Sequence, residues 1–328
     1  MKLKESVRIG NLNLRNRIVM PPMATGKARD GKPGDDLVEY YRARARGTAL
    51  IIVEHEYILP LGRAHKGQLS MSDDSVIPAY KALTDAVHGE GAKIIAQINH
   101  AGAKASDSGM TAVGPSAVAF QNGPVPEELT HDQIREIIRA FADAAVRAKK
   151  AGFDGVEIHA AHGYLLNQFY SPLMNKREDE YSIRTMENRT RLHKEAVRAV
   201  RKAVGDDFTV AIRFGACDFL EGGSEIEDIP ETIKYLEHTG VDLIDVTAGM
   251  MGFMRPGHTE PGYLKDLGLA AKSVAKLPII LTGGVQTAQD AEKLLTEKAC
   301  DLVGVGRAIL KDADWAAKAL ESEGNLPE

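Results

Sequence analysis

The stretch that decides the fold runs from residue 278 to residue 307 and reads PIILTGGVQTAQDAEKLLTEKACDLVGVGR. Its two ends, residues 278–282 and 301–305, are short apolar runs rich in branched side chains, the kind that form buried strands. Between them, residues 288–297 space their apolar side chains as a helix does. The stretch is therefore predicted to be a strand–helix–strand unit with parallel strands.

The same unit recurs along the whole chain. Each strand-like run is apolar on both faces, as expected for a strand buried between a barrel interior and a layer of helices. The eight predicted strands are residues 17–20, 49–53, 93–98, 155–159, 208–214, 241–246, 278–282 and 301–305. The eight predicted helices are residues 36–46, 75–90, 132–151, 187–204, 228–239, 264–275, 288–297 and 314–321.

Unbroken alternation of eight strands and eight helices predicts an α/β fold, a TIM (β/α)8 barrel, as one domain over residues 1–328. A doubly wound open sheet is the competing architecture. No composition shift or linker marks a domain boundary. Two long excursions, at about residues 102–128 and 164–186, follow strands three and four, where barrel loops form sites. Glycines fall where four helices should end, and there a left-handed residue is needed: Gly91, Gly152, Gly205 and Gly240.

The composition limits which kinds of partner and which cellular compartment are expected. A formal net charge of −5 without long runs of one sign gives no footprint for nucleic acid or an anionic membrane, so the expected partner is a small molecule. Cys217 and Cys300 have no metal-like spacing, which favours a reducing compartment. At the N-terminus a charge lies inside what would have to be the apolar core of a signal peptide, so a cytoplasmic location is expected.

Glycines follow the last two predicted strands. Gly283 and Gly284 come after strand seven, and Gly306 and Arg307 after strand eight. Bare backbone N–H groups can approach an anion there, and a guanidinium can add a charged contact. Glycine at a strand end is also ordinary turn chemistry, but two adjacent motifs favour a phosphate site. The spacing is not a dinucleotide fingerprint, because a third glycine and an acidic residue are missing.

The segment His159-Ala-Ala-His162-Gly-Tyr164 places two imidazoles and a phenol just past strand four. One interpretation is a metal site, which needs a third ligand from another strand end. A second is a structural role, with buried histidines bonded to backbone carbonyls. The third is catalytic: two imidazoles donate to one carbonyl oxygen and the tyrosine delivers a proton.

Several motifs match one family. They are Asn16-Arg-Ile-Val-Met20 with Pro22-Met23, Gln97-Ile-Asn-His100-Ala-Gly, His159 to Phe169, Asn175-Lys-Arg177, Asp179-Glu-Tyr181, Glu187-Asn-Arg189, Gly283-Gly284 and Gly304-x-Gly306-Arg307. With them the chain resembles, over nearly its whole length, the old yellow enzyme family of FMN-dependent ene-reductases. The resemblance is strongest to the short bacterial members and to the flavin domains of 2,4-dienoyl-CoA and 2-enoate reductases.

This resemblance implies a cofactor site. FMN would lie on the barrel mouth with its phosphate at the four residues named above, after strands seven and eight. Gln97 would bond the pyrimidine edge and Arg213 would sit near N1 and O2, where negative charge collects on reduction. The remaining cofactor residues implied are Pro22, Met23 and Ala24 beside N5, and His55, which stands where relatives have a small residue.

The resemblance also implies a reaction. NADH or NADPH would reduce FMN and leave, and an activated alkene would then take the hydride in a ping-pong cycle. His159 and His162 would bind the substrate carbonyl, and Tyr164 would protonate the α-carbon. Gly26 stands where some relatives have a substrate-contacting tyrosine, which predicts a more open pocket. Ala24 replaces a threonine or cysteine that tunes the flavin in many relatives.

Other functions stay open at this point. One is amine dehydrogenation or demethylation, as in another branch of the superfamily; another is a non-catalytic flavin-binding barrel. A flavin-free lyase would need a Schiff-base lysine, for which Lys104 is the nearby candidate. No cysteine cluster follows the barrel, so the iron–sulfur domain of larger reductases is expected to be absent. Homo-oligomers are common in the family, but residues 325–328 lack the arginine that some dimeric relatives insert into a neighbour's site.

Overall fold

Eight parallel strands close into a barrel in the computed structural model, which describes residues 1–322. The strands are β1 (Ile18–Met20), β2 (Leu50–Ile52), β3 (Lys93–Asn99), β4 (Gly155–Ala160), β5 (Thr209–Cys217), β6 (Leu243–Ala248), β7 (Ile279–Thr282) and β8 (Leu302–Gly304). Each pairs in parallel with the next, and β8 pairs with β1. The predicted TIM barrel is confirmed and the open sheet is excluded.

A helix follows each barrel strand. These helices are α1 (Asp35–Ala45), α2 (Ile77–Gly89), α3 (His131–Lys150), α4 (Arg191–Val204), α5 (Ile229–Glu237), α6 (Lys265–Lys272), α7 (Ala288–Thr296) and α8 (Trp315–Glu321). The four glycines predicted at helix ends all have positive φ, between +76° and +99°. Their predicted left-handed conformation is therefore confirmed.

Two predicted boundaries are wrong for local reasons. The helix expected over 187–204 is two helices, Met186–Arg189 and Arg191–Val204. Thr190 separates them, and its hydroxyl donates to the carbonyl of Met186 at 2.8 Å. Strand β5 runs three residues past its predicted end, because its last residues still pair with β6 across a register shift between Gly215 and Cys217.

A hairpin that the sequence did not predict closes one end of the barrel. Strands Val7–Ile9 and Leu12–Leu14 pair antiparallel. Their apolar side chains pack in one cluster with inward-facing barrel residues such as Val19, Leu50 and Ile95. Because this cluster fills the amino-terminal end of the strands, the carboxyl-terminal end is left to form the site.

Shorter elements lie outside the barrel strands and their helices. The two excursions contain the 3-10 turn Gly102–Lys104, the strands Val113–Gly114 and Glu127–Glu128, and the helix Leu165–Tyr170. Elsewhere there are the strands Glu56–Tyr57 and Leu69–Ser70, the helix Arg307–Lys311, and the 3-10 turns Lys2–Lys4, Pro60–Gly62, Asp74–Val76 and Ile226–Asp228. Gln168 joins the loops after β3 and β4: its side chain accepts from the N–H of Ala103 at 3.0 Å and donates to the carbonyl of Gly163 at 2.7 Å. These loops are therefore held together over the barrel mouth.

The prediction of one domain over residues 1–328 extends past the described part of the chain, because its last residues, including 325–328, lie outside it. Across residues 1–322, no helix combines the length and apolar character that a membrane crossing requires.

Candidate active site

Three side chains of the sequence motif meet at the carboxyl end of β4. The ring centres of His159 and His162 are 5.1 Å apart with perpendicular planes, and those of His159 and Tyr164 are 5.0 Å apart. His55, which follows β2, joins them with its ring centre 5.1 Å from that of Tyr164. The structure thus brings together the two predicted imidazoles, the predicted phenol and a third imidazole.

The backbone after β4 takes a conformation that few residues tolerate. His162 has a φ of +58° and Gly163 a φ of +70°, so two consecutive residues are left-handed. A Cβ on Gly163 would lie 2.5 Å from the ring of Phe120, which explains the glycine. The N–H of Gly163 donates to Asn167 Oδ1 at 2.8 Å and fixes the turn. This turn returns the chain so that Tyr164 faces the two histidines.

Both imidazoles of the motif are neutral. Burial lowers the pKa of His159 and of His162 well below the usual value, and the nearby Arg213 lowers both further. His162 Nε2 lies 3.1 Å from the hydroxyl of Thr247, while the buried Nδ1 of His159 has no hydrogen-bond partner among residues 1–322. Nitrogens that find no protein partner are free to bind a ligand.

The metal interpretation of the motif gains no support from the geometry. Within the described chain, the group of three ligating side chains close enough to share one ion is His131, Asp179 and Glu180. It contains neither motif histidine, and Asp179 is already paired with Arg177 at 2.5 Å.

Charged and polar side chains line the barrel centre below the motif. Arg213 lies in register with His159 on the neighbouring strand, and its Nε is 3.1 Å from Asp245 Oδ2. This is an ion pair rather than a hydrogen bond, because the N–H does not point at the carboxylate. Gln97 Nε2 donates to Glu157 Oε1 at 2.8 Å. Burial, and then the charge of Asp245, raise the pKa of Glu157 to about 8, so its carboxyl is protonated at neutral pH.

The loops after β7 and β8 present the predicted anion-binding groups. Among residues 1–322, no acceptor pairs with the backbone N–H groups of Gly283, Gly284, Gly306 or Arg307. Gly284 has a φ of +71°, and a Cβ there would lie 2.7 Å from the carbonyl oxygen of Glu260. Backbone N–H groups without partners need an acceptor, and a phosphate supplies several oxygens at once. The residues present therefore fit a phosphate group.

The loop after β1 carries the remaining predicted residues. Pro22 and Met23 are partly exposed and Ala24 is exposed. A Cβ on Gly306 would lie 3.3 Å from Met23 Sδ, so the first and eighth loops are neighbours. A Cβ on Gly26 would meet no atom within 4 Å. Gly26 therefore has open space where a side chain would begin, and the more open pocket stays a prediction.

Free backbone N–H groups after β7 and β8, a guanidinium at the centre and polar rings at the mouth are typical of barrels that bind a phosphorylated cofactor. The chain belongs to the NADH:flavin oxidoreductase / NADH oxidase family, whose sequence pattern matches residues 2–324. This is the old yellow enzyme family of oxidoreductases, and its cofactor is FMN.

Curated relatives differ in length. The chain is 43% identical over 329 aligned positions to an NADH oxidase of Thermoanaerobacter brockii, covering 97% of this chain and 50% of that protein. It is 36% identical to an NADPH dehydrogenase of Halalkalibacterium halodurans, covering 97% of this chain and 94% of that one. The chain thus spans about half the length of the first relative and nearly all of the second.

Solved structures give the same fold. A complex of 2-naphthoyl-CoA reductase with 2-naphthoyl-CoA superimposes with a TM-score of 0.91 at 30% identity, covering 98% of this chain and 52% of that one. An old yellow enzyme homologue from Zymomonas mobilis superimposes with a TM-score of 0.86 at 29% identity, covering 98% of this chain and 93% of that one.

Sequence reasoning missed the residues that hold the site in place. Gln68 and Asn99 bind the ring of His55, and Glu54 binds the loop after β1. Lys104, considered only as a Schiff-base residue, lies with its ammonium 4.5 Å from the ring centre of Tyr164. A polar residue at the end of an apolar strand, as at Glu54 and Asn99, was the available signal.

Proposed function

We propose that this chain is an FMN-dependent oxidoreductase that takes electrons from NADH or NADPH and reduces the C=C bond of activated alkenes such as enones, enals and enoates. One observation carries the proposal: a phenol and two imidazoles meet at the mouth of a barrel whose family binds FMN. That set can bind a carbonyl oxygen and deliver a proton next to it.

The cofactor would be held by the groups that lack protein partners. Gly283, Gly284, Gly306 and Arg307 would bind the phosphate, and Gln97 and Arg213 the polar edge of the ring system. Pro22, Met23 and Ala24 would line it from the first loop. When bound, FMN supplies the hydride of the reaction.

His159 and His162 would orient the substrate. A neutral imidazole has one N–H, so each can donate one hydrogen bond to the same carbonyl oxygen. Thr247 holds His162 through Nε2 at 3.1 Å and so leaves the opposite nitrogen for the substrate. Two such donors stabilise the negative charge that develops on the oxygen as the alkene is reduced.

Tyr164 would be the proton donor. Burial raises the pKa of Tyr164 to about 12, so the phenol keeps its proton at neutral pH. The α-carbon becomes far more basic than a phenolate as the hydride arrives, so transfer from the phenol is downhill. Retention of this tyrosine with both histidines supports alkene reduction over amine oxidation.

The test separates the two halves of the cycle. In Tyr164→Phe, anaerobic bleaching of the flavin by NADH or NADPH should keep its rate, while reoxidation by an enone should slow about a hundredfold, within the usual range for loss of a general acid. Tyr235→Phe, on helix α5, is the matched control and should change neither rate. The screen should include enoyl thioesters, because a structurally similar protein is a 2-naphthoyl-CoA reductase. A protein without flavin, or an unchanged enone rate in Tyr164→Phe, contradicts the proposal.

A further inference from the structure

His55 is buried between the loop after β2 and the end of β3, and two amide groups hold its ring. Its Nδ1 lies 2.8 Å from Gln68 Nε2 and 3.2 Å from Asn99 Nδ2. Both partners reach the same ring nitrogen, and the opposite nitrogen, Nε2, lies 3.5 Å from the oxygen of Tyr164.

The orientation of Gln68 decides which nitrogen of His55 carries the proton. Gln68 Oε1 accepts a hydrogen bond from the backbone N–H of Ala64 at 2.7 Å, so the other end of the amide must be the NH2 group. That NH2 group faces Nδ1 of His55 and also the carbonyl oxygen of His55 at 3.3 Å. Nδ1 is therefore an acceptor, and a neutral ring must carry its proton on Nε2.

We propose that His55 is a positioning residue whose Nε2–H donates a hydrogen bond to the oxygen of Tyr164 and stabilises the phenolate that forms when Tyr164 gives up its proton. The proposal rests on the proposed function of Tyr164 as proton donor. A bond of 3.5 Å is long for a neutral phenol, and such bonds shorten and strengthen when the acceptor becomes charged.

The surroundings of the phenol single out His55. Within residues 1–322, no other group makes a hydrogen bond with the Tyr164 oxygen. Lys104 contacts the face of the Tyr164 ring, and its ammonium donates to the carbonyl of His162 at 2.9 Å. His159 approaches the same ring, and His65 lies beside His55, with ring centres 5.6 Å apart. Lys104 thus supplies charge, whereas His55 supplies the hydrogen bond.

The same contacts show that His55 is a fixed donor rather than a proton relay. To pass a proton through its ring, His55 would have to take up a proton at Nδ1, where two N–H donors already point. Burial also lowers the pKa of His55 to about 3, so the ring stays neutral. In the proton step the O–H bond of Tyr164 breaks, a C–H bond forms at the substrate α-carbon, and the electron pair stays on the phenolate oxygen. Water later returns a proton to that oxygen, and the N–H bond of His55 is never broken.

The tautomer can be measured directly. In protein labelled with 15N-histidine and saturated with FMN, the resonances lost in His55→Gln belong to His55. We expect one protonated nitrogen, Nε2, and one unprotonated nitrogen, Nδ1. The reverse pattern would overturn the proposal.

The effect on the phenol can be measured without any alkene. Placing 2,3,5-trifluorotyrosine at position 164 makes the phenol more acidic, so its pKa can be followed by fluorine NMR within the stable pH range. We expect His55→Phe to raise that pKa by about one to two pH units, the size expected for loss of a hydrogen bond to a charged group. His55→Gln, whose amide can replace Nε2–H, should restore part of the difference. His65→Phe is the matched control and should leave the pKa unchanged.

Kinetics separate this proposal from the proposed function. In His55→Phe with the natural tyrosine and saturating FMN, alkene-dependent flavin reoxidation should slow about ten- to a hundredfold, by more than bleaching by NADH or NADPH slows in the same variant. If the enzyme reduces alkenes but its fluorotyrosine pKa is the same in His55→Phe and His65→Phe, the role of His55 is overturned and the proposed function is not. A raised pKa in an enzyme that reduces no alkene would contradict the proposed function but support the hydrogen bond.

Discussion

The carboxylate of Glu54 accepts two hydrogen bonds from Thr25, one from its backbone N–H at 2.8 Å and one from its hydroxyl at 2.7 Å. Tyr41 on helix α1 donates a third at 3.3 Å. Glu54 follows β2, whereas Thr25 belongs to the loop after β1 that carries Met23 and Ala24. The pair therefore ties the first loop of the mouth to the second strand.

Weakening the hydrogen bonds between Glu54 and Thr25 should weaken FMN binding at the proposed site. Glu54→Gln replaces one accepting oxygen by an NH2 group and removes the carboxylate charge, so the N–H and hydroxyl of Thr25 lose their hydrogen bonds to a charged acceptor. Loss of a hydrogen bond to a charged group is worth about 1.5–3 kcal/mol, and we expect FMN to bind about tenfold more weakly. Flavin fluorescence quenching on titration measures this. The exposed Glu127→Gln should bind FMN as the unaltered protein does. Equal affinity in both variants would show that FMN binding does not depend on the hydrogen bonds between Glu54 and Thr25.

The sequence predicts those parts of the fold that depend on a local pattern. Strands, helices and their glycine ends were predictable because each depends on a local pattern, such as the left-handed Gly91 after α2. The three-residue strands of the hairpin were not, because they are too short to show alternation. The break at Thr190 depends on one side-chain hydrogen bond that no periodicity reveals.

The candidate site divides in the same way. His159, His162 and Tyr164 lie within six residues of one another, so a single motif predicted their meeting. The partners of His55 come from two other segments, and only the closed barrel brings Gln68 and Asn99 to one nitrogen. The pairing of Gln97 with Glu157 likewise depends on the register of β3 against β4. Such contacts follow from tertiary packing, which one sequence does not encode in any local pattern.

The buried carboxyl of Glu157 should make stability fall as pH rises. Its pKa is raised from 4.5 to about 8 in the folded protein, with burial as the first cause. Between these two values the folded protein holds a proton that the unfolded chain releases, so the free energy of unfolding decreases with increasing pH. Below about pH 4.5 both states are protonated and the effect is absent.

Glu157→Gln tests this, because the amide keeps an oxygen for Gln97 but cannot ionise. We expect the variant to gain stability relative to the unaltered protein as pH rises from 5 to 8, by at most about 1.4 kcal/mol per pH unit. Urea unfolding at both pH values, with FMN saturating, gives the difference. If the difference in free energy of unfolding between the variant and the unaltered protein does not grow with pH, the pKa of Glu157 is not raised in the folded protein.

The capping box at the start of α3 should contribute measurable stability. Thr130 accepts from the N–H of Gln133 at 3.3 Å, and Gln133 Oε1 accepts from the N–H of Thr130 at 2.9 Å. Thr130→Ala should cost about 1 kcal/mol in the free energy of unfolding by urea. Thr296→Ala, at the exposed last residue of α7, should cost nothing, because alanine favours a helix more than threonine does, and equal losses in the two variants would show that the cap contributes no stability.

Two left-handed glycines at the barrel mouth should respond differently to the same substitution. Gly284 has a φ of +71° and a Cβ there would meet the Glu260 carbonyl at 2.7 Å, whereas Gly26 has a φ of +68° and open space around it. Gly26→Ala should therefore cost only the left-handed strain, about 1–2 kcal/mol. Gly284→Ala should cost more, because the crowded backbone must also move.

The movement of the backbone at Gly284 displaces N–H groups proposed to hold the phosphate, so FMN affinity should fall in Gly284→Ala by more than in Gly26→Ala. Thermal unfolding with and without FMN measures both effects, since a tightly bound cofactor raises the midpoint. If FMN raises the midpoint of Gly284→Ala as much as it raises that of Gly26→Ala, the loop after β7 does not hold the phosphate.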